Sequence, residues 1–547
     1  MDLPAPLQWT EHVLFSLLLA VVVRSYVLYG LTGVLKDLVK FLRLLPGVDT
    51  LIQFILAREV QTFMNKVSAT PVDSEPVKKA VEIPEKGCSA EELLQDMAEL
   101  KALETVTEDG KVFAYVYTME DEHAKTLRKA FDMFNDPTGY DGNDKPSARE
   151  NVVNQFAHTF LHENALSPMV FPALRKMETE VISMVATMLN GDSRCSGSLT
   201  TGGTESILMA VKCYRDRARE LMPHITEPEI VAPITIHPAF EKAAEYFNLT
   251  VCHAPLKPDF TVDLAAFEKL IGKNTVMLAA SAPQYPYGIV DPIEDVGRLA
   301  TKHNLPFHVD GCFGGFMLPW VEKLGYPVPP FDFRVQGVTS VSADVHKYGF
   351  GLKGSSVVVY KSSEIRRHQI FAYSSWPGGL FGSPGFSGTR PGANIAASWA
   401  ALRSLGEDGY MQKAEQLMKT TLAMEEGVDS IQGLSIVGKP AMTAFAIMST
   451  ENSGIDILAL ADAMEARDWH MERQQLPNTL HCTIMPHHIG REMVFINDLT
   501  ESADEVRGKA SLSSKGTAGM YGMVAKIPDR AVVDEFILQF FDKAYKL

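Results

Sequence analysis

The chain has 547 residues, 46% of them apolar and 22% charged, an ordinary globular composition with room for one large domain and a smaller one. A formal net charge of −16 excludes a general nucleic-acid binder, because phosphate backbones require a broad basic face. Six scattered cysteines with no CxxC pair, and no histidine cluster at zinc spacing, argue against a structural metal and fit a reducing compartment.

The first element is an apolar run at residues 13–35 with one charge, Arg24. Its 23 residues suffice to cross a bilayer as a helix, with Arg24 as a local cost. No Lys or Arg precedes the run and no clear cleavage pattern follows it, which favours a membrane helix over a secretory signal. Asp2 and Glu11 lie before it, and Lys36, Lys40 and Arg43 after it, so the positive-inside rule places the rest of the chain in the cytosol. Residues 41–63 are amphipathic and broken by Pro46, suited either to a membrane surface or to the entrance wall of a catalytic domain. Residues 67–87 carry three prolines and few large apolar groups, and read as an extended linker or arm. Ser89 and Glu92 then form a capping box that opens a helix.

From about residue 150 helical and strand patterns alternate. Pro172 opens a helix with Leu174, Met177, Val181, Met184, Val185 and Met188 on one face. "TGGTES" at 201–206 leads into another helix. The apolar runs "EIVAPITI", "TVMLAASAP", "LPFHVD", "GVTSVSAD" and "SSVVVY" follow, most of them separated by helical stretches. This alternation predicts an α/β fold with a mostly parallel sheet covered on both faces. After about residue 400 a helix and then strands such as "TAFAIMS" and "HCTIMP" predict a smaller α+β domain. The expected division is an anchor and juxtamembrane helix at 1–62, a linker and arm at 63–150, a large domain at 151–400 and a small domain at 401–547.

Active groups of a parallel α/β sheet collect at the carboxyl ends of its strands. Four features fall there in succession: the turn with Gly203 and Thr204, then His237, Asp310 and Lys347. Taken singly, each has an ordinary explanation as a glycine turn, a loop histidine, a helix cap or a solvated lysine. Together they supply what pyridoxal phosphate needs: backbone donors for a phosphate, a ring to stack on, an anion for the pyridine nitrogen and an amine for the aldehyde. Burial and neighbouring positive charge are expected to lower the Lys347 pKa toward the free amine.

The stretches "TTGGTESILMAVKCYRD", "IHPAFEKAAEYF", "SAPQYPYGIVDPI", "HVDGCFGGF", "VSADVHKYGFGLKGSS", "WPGGLFGSPGFSGTRPG" and "YGM" at 521–523 resemble the sphingosine-1-phosphate lyases, a fold-type I pyridoxal phosphate family related to the group II decarboxylases. The resemblance runs from about residue 150 to the C-terminus. It implies Lys347 as the Schiff-base lysine, Asp310 as the pyridinium partner and His237 on the ring. It places Gly203, Thr204 and His346 near the cofactor phosphate and Ser281 near the ring hydroxyl. Tyr117, Lys353 and Arg390 are the implied polar contacts of the substrate, with Tyr117 and Lys353 also in catalytic roles. The implied reaction is C2–C3 cleavage of a phosphorylated long-chain base to a fatty aldehyde and phosphoethanolamine. The alternative is an amino-acid decarboxylase, which shares the aspartate, histidine and lysine. A membrane-anchored scaffold without catalysis is a further rival, weakened by the complete set Lys347, Asp310 and His237. The family also implies an endoplasmic reticulum membrane location and a homodimer with shared active sites, to which "SGTRPG" at 387–392 contributes.

One segment departs from the family pattern. Where these lyases commonly carry Asn-Pro-Leu-His, this chain has Asn164-Ala165-Leu166-Ser167. Ser167 therefore replaces a histidine expected at the substrate phosphate, and a serine cannot supply its positive charge. Either His162 or Lys353 supplies the missing donor, or the phosphate is held less tightly.

Overall fold

The computed structural model describes Leu38, Leu45, residues 47–67, 80–104, 148–509 and 530–546. Contacts divide the chain into two compact units, Met1–Lys78 and Lys79–Leu547. The apolar run at 13–35, Tyr117 and the 521–523 motif lie outside the described residues. Among the described residues no helix is long and apolar enough to cross a membrane.

In the first unit α1 (Val48–Val67) starts beside Gly47 and exposes Leu51, Phe54, Ile55, Leu56 and Val60. The second unit opens with an irregular segment followed by α2 (Ala90–Lys101). The predicted capping box is present: Glu92 N donates to Ser89 Oγ at 3.2 Å, and Ser89 N to Glu92 Oε2 at 2.7 Å. Two helices follow, α3 (Ala148–Thr159) and α4 (Pro172–Met188). The apolar face read for α4 is buried from Leu174 to Val185, and Met188 packs at the edge of the core.

The α/β body then runs β1 (Ser196–Thr200), α5 (Gly203–Leu221), β2 (Glu229–Pro233), α6 (Ala239–Phe247), β3 (Thr250–Ala254), α7 (Leu264–Leu270), β4 (Thr275–Ser281), α8 (Ile293–His303), β5 (Phe307–Asp310), α9 (Leu318–Lys323), β6 (Val338–Ala343) and β7 (Ser356–Tyr360). These strands form one sheet in the order β1-β7-β6-β5-β4-β2-β3. All neighbours from β6 to β3 are parallel, and β7 runs antiparallel to both β6 and β1. Every residue of β4, β5 and β7 is buried, which explains why they read as unbroken apolar runs rather than alternating ones. The register aligns Ser281 with Asp310 and Asp310 with Ser342, so three strand ends stand side by side.

Beyond β7 come a short turn of helix, α10 (Ser363–Arg366), and a hairpin of β8 (Phe371–Tyr373) and β9 (Phe381–Ser383). The long helix α11 (Gly392–Ser430) bends at Gly406, whose φ is 61°. There Gly87 packs so closely that a Cβ on it would lie 2.3 Å from the Ser404 carbonyl oxygen. The boundary placed at residue 400 thus falls inside the first of the two helical stretches that meet at this kink. A four-stranded antiparallel sheet, β10 (Leu434–Ile436), β11 (Ala444–Ser449), β12 (Glu472–Gln474) and β13 (Thr479–Thr483), packs against α11 and α12 (Ile457–Glu465), and α13 (Glu492–Val506) packs on those two helices. The last helix, α14 (Arg530–Ala544), buries Val533 and exposes Phe536, Leu538 and Phe540.

Candidate active site

The site lies where the carboxyl ends of the sheet strands meet the start of α5. Gly202 caps that helix with φ 146°, a conformation open to glycine, and the chain turns directly from β1 into the helix. Gly203 has no room for a side chain. A Cβ there would lie 2.8 and 2.9 Å from the two Asp344 oxygens and 2.9 Å from Cys312 Sγ. Glu205 braces the turn: its Oε2 accepts from Thr201 N at 2.7 Å and Thr201 Oγ1 at 2.6 Å, while its Oε1 accepts from Phe386 N at 2.9 Å. One buried carboxylate thus ties the glycine turn to the segment after β9.

A cavity of about 460 Å³ opens over this turn. Gly203, Thr204, His237, Cys312, His346 and Lys347 are among the residues that line it. His237 follows β2, and its Nδ1 accepts the Ala239 amide at 3.1 Å, which fixes the ring at the head of α6. Asp310 closes β5, 6% exposed, and its Oδ1 accepts the Cys312 amide at 3.1 Å. Asp310 and Ser281 stand at the adjoining strand ends and are not themselves part of the cavity wall. Ser281 is bound through its backbone: its amide donates to Asp291 Oδ2 at 2.8 Å.

Lys347 sits in the turn between β6 and β7. Its Nζ lies 3.0 Å from Asp344 Oδ2 and 5.6 Å from the centroid of the Phe313 ring. Burial opposes the lysine's charge, but the Asp344, Cys312 and Asp310 side chains outweigh it, and the pKa is raised. This corrects the sequence reading, which expected burial and neighbouring positive charge to lower the value: burial does act that way, but the neighbours are acidic groups and they prevail. The dominant neighbour is a carboxylate three residues earlier. Burial lowers the His346 pKa, against the opposing pull of Asp344 at 3.6 Å. The His346 ring is held by the Ser355 carbonyl, 2.7 Å from Nδ1.

The other expected contacts stand further off. Lys353 is exposed and donates to the His346 carbonyl at 3.3 Å. Arg390 is 6% exposed; it pairs with both oxygens of Glu178 and donates to the Ala165 carbonyl at 3.1 Å. Its backbone also binds the 164–167 loop, since Ala165 N donates to Arg390 O and Arg390 N to Asn164 Oδ1. Arg390 and Ser167 therefore belong to one tied loop pair, and neither lines the cavity. Sequence reasoning passed over Asp344 and Glu205. The signal for Asp344 was its i, i+3 spacing to Lys347 in a tight turn; Glu205 lay inside the quoted phosphate motif.

The cavity's chemistry fits pyridoxal phosphate. A helix start with an obligatory glycine faces an imidazole ring, an amine reaches the same space, and a carboxylate ends the next strand. One buried oxygen, Asp344 Oδ1, has no hydrogen-bond partner among the described residues.

Residues 160–448 match the pyridoxal-dependent decarboxylase conserved domain. The chain is 39% identical to a sphingosine-1-phosphate lyase of Dictyostelium discoideum over 515 residues, covering 93% of this chain and 89% of that one. This chain belongs to the sphingosine-1-phosphate lyase family. An Arabidopsis thaliana lyase is 42% identical over 413 residues, three quarters of each chain. A solved lyase structure from Burkholderia pseudomallei shares 37% identity at a TM-score of 0.65, covering 76% of this chain and 97% of that one. The sphingosine-1-phosphate lyase family is pyridoxal phosphate-dependent, and the α/β fold with its mostly parallel sheet is that of the decarboxylase-related enzymes.

Proposed function

We propose that this enzyme cleaves the C2–C3 bond of a phosphorylated long-chain base, releasing a long-chain aldehyde and phosphoethanolamine. The observation that carries the reading is the Lys347 amine held by Asp344 on the wall of the glycine-turn cavity. The lyase relatives, matched over most of the chain, support it. Bound there, pyridoxal phosphate supplies an aldehyde that condenses with amines and a protonated ring that accepts an electron pair. Gly203, Thr204 and His346 would hold its phosphate, His237 would lie against the ring, and Asp310 would keep a proton on the ring nitrogen. Lys347 would provide the amine for its aldehyde, at the place where the substrate amine would bind. Asp344 would hold Lys347 Nζ as a charged amine, which could give a proton to the carbon that bears the amine, balanced by the proton lost from the C3 hydroxyl. Tyr117, Ser167, Lys353 and Arg390 are assigned to the substrate, from this chain or from a second copy.

The reading includes a homodimer with shared sites. The β8–β9 hairpin supports it: Phe371, Tyr373, Trp376 and Leu380 are exposed, and Phe386 just beyond lines the cavity. An apolar patch of this kind at the mouth of a site is suited to cover by another surface. The reading also includes a single-pass anchor at 13–35 in the endoplasmic reticulum membrane, with the catalytic body in the cytosol, supported by the flanking charges and by the exposed apolar face of α1. Protease added to intact microsomes should digest the body; protection would invert the topology. Because the matched domain is also that of decarboxylases, carbon dioxide release from amino acids is the competing activity. Assaying aldehyde against carbon dioxide separates the two, and carbon dioxide alone would overturn the lyase reading.

A further inference from the structure

A file of buried polar side chains runs behind Asp310. It starts on α5, the helix whose first turn forms the glycine turn. Tyr214 Oη lies 2.7 Å from both Thr339 Oγ1 and Ser340 Oγ. Ser340 Oγ lies 2.7 Å from His308 Nδ1, and His308 Nε2 lies 3.2 Å from Ser342 Oγ. Ser342 Oγ reaches Asp310 Oδ1 at 3.4 Å. Tyr214 is 1% exposed, and His308, Ser340 and Ser342 are 0% exposed. The residues come from β5, β6 and α5, and the register of β5 against β6 sets the spacing, since His308 pairs with Ser340 and Asp310 with Ser342.

The direction is read back from the carboxylate: Ser342 donates to Asp310, so it accepts from its other partners. At the far end, Thr339 Oγ1 lies 3.0 Å from the Phe307 carbonyl and 2.7 Å from Tyr214 Oη; Tyr214 gives its single hydrogen to Ser340, so it accepts from Thr339. Tyr214 donates to Ser340, and Ser340 passes its own hydrogen to His308 Nδ1. The ring then carries its hydrogen on Nε2 and donates to Ser342. Ser342 donates to Asp310, and the Cys312 thiol adds a second hydrogen to Ser342 at 3.1 Å. All the hydrogens point toward the carboxylate. Burial holds the His308 ring down at about 4, well below the ordinary imidazole range, against the pull of Asp310. No cation therefore stands in the file to neutralise Asp310 from behind.

We propose that His308 is a positioning residue for the reaction: as a neutral ring protonated on Nε2, it holds Ser342 as a donor to Asp310 Oδ1. Ser342 thereby occupies Oδ1 and leaves Oδ2 for the cofactor's ring nitrogen. The inference rests on the reading of Asp310 as the partner of that nitrogen. A polar file that only satisfied buried atoms would matter equally for any ligand in the cavity.

The test compares the affinity of the cofactor-free protein for pyridoxal phosphate with its affinity for the 1-deaza analogue, which has carbon in place of the ring nitrogen. The ratio of the two measures what Asp310 contributes at that atom. Ser342→Ala and His308→Leu should each lower the ratio by about fivefold, as expected for loss of one hydrogen bond to a charged group. Affinity for the deaza analogue should stay near wild type. His308→Gln, which keeps a donor toward Ser342, should restore most of the ratio. If His308→Leu fails to fold, the small Ser342→Ala change still decides the matter. A wild-type ratio in folded Ser342→Ala, or a parallel fall for both ligands, overturns the proposal. If Asp310→Ala leaves the ratio unchanged, the reading of Asp310 itself falls, a result distinct from failure of His308 alone.

Discussion

Lys347 Nζ lies 3.0 Å from Asp344 Oδ2, within one turn of chain. The side chain of Asp344 is 1% exposed, and its oxygens fill the space that a Cβ on Gly203 would need, 2.8 and 2.9 Å from that position. The site's amine and its phosphate turn are therefore set against the same carboxylate, and two predictions follow from that sharing.

Asp344→Asn removes the leading group that raises the Lys347 pKa against burial. Only the neutral amine attacks an aldehyde, so a raised pKa places covalent capture of the cofactor at higher pH. The variant should capture pyridoxal phosphate with a pH midpoint shifted downward, followed by the visible absorbance of the bound cofactor. An unmoved midpoint would show that Asp344 does not control the amine.

Gly203→Ala forces a methyl group to within 3 Å of Asp344 and Cys312. Overpacking of this kind costs about 1–3 kcal/mol. Cofactor affinity should fall roughly tenfold or more, because the neighbour that must move is the partner of Lys347. Titration of the cofactor-free protein checks this, and wild-type affinity would refute the packing argument.

Asp291 is 0% exposed, and burial pushes its carboxyl up to about 7, with the Asp310 charge adding to the shift and the Ser281 amide opposing it. A raised folded-state value means that the native state binds a proton that the unfolded chain has lost. Its stabilising effect is therefore complete below about pH 4 and declines as pH rises toward 7. Asp291→Asn keeps an acceptor for the Ser281 amide and removes this decline. The variant should gain stability relative to wild type as pH rises from 4 to 7, by a few kcal/mol at most, read from urea midpoints at several pH values. A constant difference between the two proteins would contradict the assignment.

Ser167→His tests the departure from the family pattern. The histidine should raise the ratio of kcat/KM for phosphorylated over unphosphorylated long-chain bases, by up to about tenfold for one added charge-assisted contact. In this chain Ser167 is 8% exposed and tied through Ala165 to Arg390. An unchanged ratio would mean that the loop does not face the substrate phosphate.

Much of the architecture was legible because buried strands carry unbroken apolar runs: β2, β4, β5, β6 and β7 were all visible. So was the α2 capping box, which depends only on residues three apart. β1 was not, because "SGSLT" is small and polar; it is buried by the register that sets Leu199 opposite Val357, and local pattern cannot report a distant partner. The antiparallel direction of β7 was hidden for the same reason. In the site, the strand-end residues Asp310 and Lys347 were legible from order along the chain. The charge on Lys347 was misread because a sequence shows which groups exist but not which one faces the amine. The His308 file was invisible, since its hydroxyls come from a neighbouring strand and from α5. The pairing of the Arg390 guanidinium with Glu178, 212 positions away in sequence, was invisible for the same reason.

The central claim is cleavage of a carbon–carbon bond beside the amine, followed by proton return to the carbon that bears it. Its most direct test is to incubate the purified protein and pyridoxal phosphate with a phosphorylated long-chain base in D₂O and analyse both products by mass spectrometry. The account predicts a long-chain aldehyde without deuterium on carbon, and phosphoethanolamine with one non-exchanging deuterium on the carbon next to nitrogen, both absent with Lys347→Ala. Intact base with no aldehyde, from a protein that binds the cofactor, would contradict it.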